Sequence, residues 1–190
     1  LLATVNISAS GGAALSVGNI TADTTNSTTD LTQTTTITVG ASSSLALGTI
    51  DNDHGNSVIA IDNSGTISAA TFTNDGSTGS LAATITGSGA TTITEFDSGT
   101  GDITLTADGA GAKIFTLLTS TDDATVTLSG SGNATFTAVA ITDDMTLDAS
   151  NLTGSFLTSD LSGVAGTLTL TGPSTVGFTS LKLADASTAN

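Results

Sequence analysis

Short runs of alternating apolar and small polar residues, separated by Gly, Ser, Asn and Asp, cover most of the chain. In residues 123–143, DATVTLSGSGNATFTAVAITD, the alternation puts Val126 and Leu128 on one face and Thr125 and Thr127 on the other. That is the period of a half-buried β-strand. Residues 144–164, DMTLDASNLTGSFLTSDLSGV, repeat the order: an Asp, an alternating strand, a break at small polar residues and a Phe. Each copy predicts two short strands joined by a turn. In 123–143 these are ATVTLS and ATFTAVAI around GSGN.

Two residue types report the same period along the chain. The six Phe residues stand at 72, 96, 115, 136, 156 and 178, so their separations are 24, 19, 21, 20 and 22. A Thr-x-Thr column runs through Thr84/Thr86, Thr104/Thr106, Thr125/Thr127, Thr146/Asp148 and Thr167/Thr169, in steps of 20, 21, 21 and 21. Phe96 sits off this register, and Ile93 reads as its equivalent in that unit. Two strands and two turns in ~21 residues make one coil of a β-solenoid, with coils stacked ~4.8 Å apart. The fold expected is therefore all-β, a parallel β-solenoid (β-helix), with apolar columns inside, Thr columns outside and Gly or Ser at the corners. The alternative is an antiparallel β-sandwich of hairpins, in which TLSGSGNATF forms one hairpin. A sandwich does not require the residues to recur in kind.

The array is expected over residues 34–190. Residues 1–20 read as a first coil or N-terminal strand pair, able to dock on its own chain or on a neighbour. Residues 21–33, TADTTNSTTDLTQ, read as a polar loop or linker. The chain starts at Leu1-Leu2-Ala3 without Met, which reads as a processed or excised segment.

Charge narrows the partners. Lys and Arg total 2 against 17 Asp and Glu, for a net charge of -15. Such a surface repels phosphate backbones and anionic headgroups, so neither nucleic acid nor a membrane surface is an expected partner. Membrane insertion is not expected either, because no apolar run reaches the roughly 18–20 residues of a span. The absence of Cys removes disulfides, thiol chemistry and Cys-ligated zinc. With 37% hydrophobic residues and a mean hydropathy of +0.30, the chain reads as folded rather than disordered. Sequons for N-glycosylation stand at Asn6, Asn19, Asn26, Asn133 and Asn151.

The Asp residues follow the repeat. Asp102, Asp123 and Asp144 are spaced by 21, as are Asp122 and Asp143. Stacked one strand apart, they repel unless screened or bridged. A calcium ion, which takes six to eight oxygen ligands, would turn that repulsion into a clamp across coils. The bland reading is a set of solvated turns, where Asp is favoured anyway. A second calcium candidate is DNDHGN at 51–56, with Asp51, Asp53 and Asn56, although its twelfth position is Asp62 and not the bidentate Glu of a calcium loop. His54 is the lone His and reads as a surface turn residue. For catalysis the chain offers little: no Gly-x-Ser-x-Gly, no phosphate-binding loop with Lys, no Tyr or Trp to stack a sugar, and Lys113 and Lys182 standing apart. No catalytic residue is assigned, and an enzyme is not expected.

LTLTGPSTVGFTSLKL and MTLDASNLTGSFLTSDLSG, rich in Thr, Ala, Gly and Ser and nearly free of Lys and Arg, resemble the repetitive β-solenoid portions of bacterial surface-layer (S-layer) proteins. Related stretches occur in large secreted adhesins of the repeat-in-toxin type. The Gly-Gly-x-Gly-x-Asp nonapeptide of those adhesins' calcium rolls is absent. The resemblance covers most of residues 34–183. It implies a non-enzymatic structural protein, extracellular or on the cell surface, that self-associates into a layer or filament. The alternative is a binding module: an adhesin segment for a cell-surface glycan, or an ice-binding module presenting Thr-rich faces, since the Thr column looks like those of antifreeze β-solenoids.

Overall fold

The computed structural model describes residues 4–22, 32–52, 55–74, 79–157, 159–173 and 180–183. Phe178, Asp53, His54 and Asn26 lie outside this set. The described residues hold strands and turns and no helix. In chain order the strands are β1 (Thr4–Ala9), β2 (Ala14–Val17), β3 (Ile20–Ala22), β4 (Gln33–Val39), β5 (Ser44–Leu47), β6 (Thr49–Asn52), β7 (Ser57–Asn63), β8 (Thr66–Thr73) and β9 (Leu81–Thr86). They continue with β10 (Ala90–Asp97), β11 (Ile103–Ala107), β12 (Lys113–Ser120), β13 (Ala124–Gly130), β14 (Ala134–Ile141), β15 (Met145–Leu152), β16 (Ser159–Asp160), β17 (Leu168–Thr171) and β18 (Leu181–Lys182).

Every pairing between them is parallel, which excludes the antiparallel sandwich. One sheet runs β1-β4-β7-β9-β11-β13-β15-β17, and the facing sheet runs β14-β12-β10-β8-β5-β2, with β3 and β6 beside it. The chain is a β-solenoid. Coil length contracts from 30 residues (Thr4 to Thr34) to 24 (Ser57 to Leu81), 22 (Leu81 to Ile103) and 21 (Ile103 to Ala124), then widens to 23 (Met145 to Leu168). From β7 to β14 each coil has the two expected strands. The first two coils divide the second strand in two, where Gly18 and Gly48 interrupt VGNI and LGTI. The first coil docks on its own chain, β1 on β4 and β2 on β5.

The core is a narrow file of Ile, Leu, Val and Ala filled by a column of aromatic rings. Phe72 stacks on Phe96 at 5.2 Å and Phe115 on Phe136 at 4.9 Å. The rings tilt at Phe96–Phe115 (6.2 Å) and Phe136–Phe156 (6.1 Å). The tilt at Phe96 has a register cause. Ile93 pairs with Phe115, whereas Phe96 pairs with Phe72 on one side and Leu118 on the other. The ring column changes lane there. Irregular register between β8 and β10, around Ile93, accompanies the change.

Corners are set by glycine. An added Cβ at Gly89, Gly111, Gly132 or Gly154 would lie 2.2, 1.9, 2.0 or 2.2 Å from the carbonyl oxygen of the glycine one coil before. Backbones approach too closely there for any side chain.

On the outer face of the first sheet two lanes run the length of the array. One is Thr4, Thr34, Val58, Ala82, Thr104, Thr125, Thr146, Thr169. The other is Asn6, Thr36, Ala60, Thr84, Thr106, Thr127, Asp148, Thr171. This corrects the sequence-derived register at both ends of the column. Thr84 pairs with Thr106 rather than Thr104, and Thr169/Thr171, not Thr167/Thr169, continue Thr146/Asp148. A slip of two residues keeps every side chain on its face, so the alternation alone does not detect it.

Candidate functional site

The corner that feeds each strand of the first sheet carries the acidic residues. Asp102, Asp123 and Asp144 immediately precede β11, β13 and β15, and Asp122 and Asp143 stand one residue earlier. The parallel register stacks these turns directly. Ile103 N–H donates to the Asp123 carbonyl and Ala124 N–H to the Asp144 carbonyl, each at 2.9 Å. Five of the predicted metal-binding residues therefore come together. Carboxylate oxygens of Asp102, Asp122 and Asp123 lie within 4.8 Å of one another, as do those of Asp123, Asp143 and Asp144. The two groups share Asp123. With Ca–O distances of roughly 2.3–2.6 Å, oxygens across one ion lie up to about 5 Å apart, so the spacing fits calcium.

The same carboxylates have a structural role that sequence reasoning missed. Asp144 N–H donates to Asp123 Oδ1 at 3.1 Å, and Thr167 N–H donates to Asp144 Oδ1 at 2.7 Å. Asp123 and Asp144 thus each accept an axial hydrogen bond from the next coil. Asn56 does this for Ser80 N–H at 3.0 Å in an earlier coil, and at other corners Asn133 does it for Ser155 N–H (2.9 Å) and Asn19 for Thr49 N–H (3.1 Å). The signal was available: an Asn or Asp recurs at coil corners, where a side-chain oxygen can reach the next rung.

The second calcium candidate is not assembled among the described residues. Asp51 lies in β6, where its Oδ1 accepts from Thr73 Oγ1 at 2.7 Å, and Asn56 serves the ladder just described. Asp53 and His54 fall outside the described residues.

The two lysines do not stand apart. Lys182 Nζ meets Asp160 Oδ2 at 2.8 Å and ties β18 to β16 across coils. Lys182 and Ser162 hold the Asp160 carboxyl down to about 2. Lys113 is buried, with Nζ donating to the Gly111 carbonyl at 2.8 Å. Desolvation lowers its pKa, and the charge of Asp108 partly opposes that. Thr135, Thr137, Ser159, Asp160, Ser180 and Lys182 line an open groove of about 490 Å³, where β16 leaves the line of the second sheet.

Compared with known proteins, the chain matches no family model, no curated protein and no solved structure.

Proposed function

We propose that this is a non-enzymatic extracellular structural protein, at the cell surface or secreted, that self-assembles into a surface layer or filament. One observation carries the reading. Among the described residues the first sheet ends in β1 and β17, TVNISA and LTLT, and neither strand contains a charge, a Pro or a bulge. Charges, prolines and bulges are devices against pairing with another chain, and these two strands have none. Coils stacked by one repeated parallel contact extend along a single axis. Nucleic acid and membranes have no part in this reading. Electron micrographs of the purified chain are expected to contain ordered sheets or fibres. Monomers persisting at high concentration would overturn it.

Calcium belongs to the same reading, bound at the two carboxylate groups that share Asp123. Adding calcium is expected to raise the melting temperature and EDTA to reverse the rise. An unchanged melt with chelator removes calcium from the account.

A second reading follows from the outer lanes, where Thr fills 11 of the 16 positions. A stiff hydroxyl and methyl lattice suits a binding module, for ice or for a cell-surface glycan. Thermal hysteresis tests the ice form, and glycan binding by a persistent monomer tests the adhesin form.

A further inference from the structure

We propose that the groove beside β14 binds a neutral saccharide through Asp160, Lys182, Thr135, Thr137 and Ser180. The inference rests on the binding-module reading above and gives its glycan form a site, away from the outer lanes of the first sheet.

The groove exists because the second sheet opens there. β14 meets the next coil at two isolated bridges, Ala134–Phe156 and Ile141–Val164. Between them β16 turns away and pairs with β18 in a separate two-stranded sheet. A buried hydroxyl holds the gap. Ser159 Oγ accepts the Phe136 N–H at 3.1 Å and donates to the Leu157 carbonyl at 3.0 Å, so it stands where a direct rung-to-rung bond would close the sheet. Ser159 is 2% exposed and both its bonds are made, so the opening is fixed by a satisfied polar contact. The volume of about 490 Å³ falls within the roughly 300–1,000 Å³ of small-molecule sites.

The polar groups on the wall are held in place before any ligand arrives. Asp160 Oδ1 accepts the Ser162 N–H at 3.0 Å and the Ser162 hydroxyl, and Oδ2 accepts Lys182 Nζ at 2.8 Å. Oδ2 keeps a second lone pair. Lys182, with a side chain 69% exposed, keeps two further N–H donors. Thr135, Thr137 and Ser180 bring hydroxyls that both donate and accept.

Charge decides the class of ligand. Lys182 offsets Asp160 within the groove, and the chain's other basic side chain, Lys113, is buried at the start of β12. An anion would approach a molecule of net charge -15, and a cation would meet Lys182. An apolar ligand would strip water from these groups and return no hydrogen bond. An uncharged ligand with several hydroxyls accepts from the ammonium and donates to Asp160 Oδ2. Adjacent hydroxyls on a sugar ring meet that description.

The test is an array of neutral, uronate-bearing and sialate-bearing oligosaccharides probed with the labelled 190-residue chain, followed by titration with the glycans retained. Saturable binding to neutral glycans is expected, with the anionic ones at least about fivefold weaker. T137V removes one hydroxyl without touching the β16–β18 tie, and K182M removes the ammonium. Each is expected to weaken binding at least about fivefold, with the circular dichroism of a β-fold retained. T116V, at an exposed position of β12 outside the groove, should bind as the parent does. Neutral-glycan binding unchanged in T137V or in K182M would overturn the groove as its site and leave the glycan reading standing, on the outer lanes if T104V/T125V abolishes it. Tighter binding of the anionic glycans would overturn the ligand class. An array without saturable binding removes both the groove and the glycan reading.

Discussion

At the scale of single residues, the corner glycines and the ring column are the positions with least freedom. The Gly111 Cβ would sit 1.9 Å from the Gly89 carbonyl oxygen, a backbone atom that no rotamer change can move. Gly111→Ala is expected to lose at least about 3 kcal/mol in a urea melt, in the range of severe backbone and packing defects. Gly18→Ala, where nothing lies within 4 Å, should stay within roughly 0.5 kcal/mol. Phe115 is fully buried between two rings. Phe115→Ala is expected to cost about 3–5 kcal/mol, as aromatic truncation in a close-packed core does. Lys113 acts in the opposite sense. Burial holds its folded-state pKa below the ordinary 10.5, so protonation opposes folding. Between the folded pKa and 10.5 the unfolded chain binds the extra proton, and stability rises with pH. Lys113→Met should flatten that rise in chemical denaturation series at increasing pH.

At the scale of elements, the acidic corner combines attraction and repulsion. Asp123 accepts the Asp144 N–H while standing among four like charges. Asp123→Asn keeps the acceptor and removes the charge. Without calcium it is expected to melt no lower than the parent, and with calcium to lose most of the added stability. Asp123→Ala should melt lower in both conditions, because a rung-to-rung hydrogen bond is gone. A calcium response unchanged in Asp123→Asn would remove these corners as the binding sites. The β16–β18 tie has its own pH signature. Its Asp160 carboxyl titrates at about 2 against 3.8 unperturbed, so its contribution is full above pH 4 and fades as pH falls toward 2. Lys182→Met should shrink that segment of the acid-unfolding curve, leaving the part that the Ser162 hydrogen bonds supply.

At the scale of the whole molecule, a net charge of -15 on a two-sheet solenoid makes self-repulsion a general term. Sodium chloride is expected to raise the melting temperature by screening alone, so calcium must exceed the effect of sodium at equal ionic strength to count as bound. Leu15, Val17 and Ile20 of β2 and β3 are less buried than Leu45, Leu47 and Ile50, their partners one coil on, so these strands open first. Hydrogen exchange should be fastest in β2 and β3 in the monomer and slow on assembly.

Much of this architecture was legible in the chain, because parallel stacking brings like positions together in every coil. Phe115, Phe136 and Phe156 recur because each ring is the next ring's neighbour, and Asp102, Asp123 and Asp144 because each corner faces the next. Periodicity alone was enough to give the parallel solenoid, the core column, the acidic corner and the displaced register of Phe96. Tertiary structure decided what periodicity leaves degenerate. The two-residue slips at Thr84 and Thr169 preserve facing, and only the loop lengths resolve them. Lys182 finds Asp160, and Lys113 is buried, through the offset between particular coils. Asp123 and Asp144 became backbone acceptors only when one rung lay within reach of the next. A repeat specifies which residues are equivalent. The distances between them, and so their chemistry, depend on how closely the coils stack.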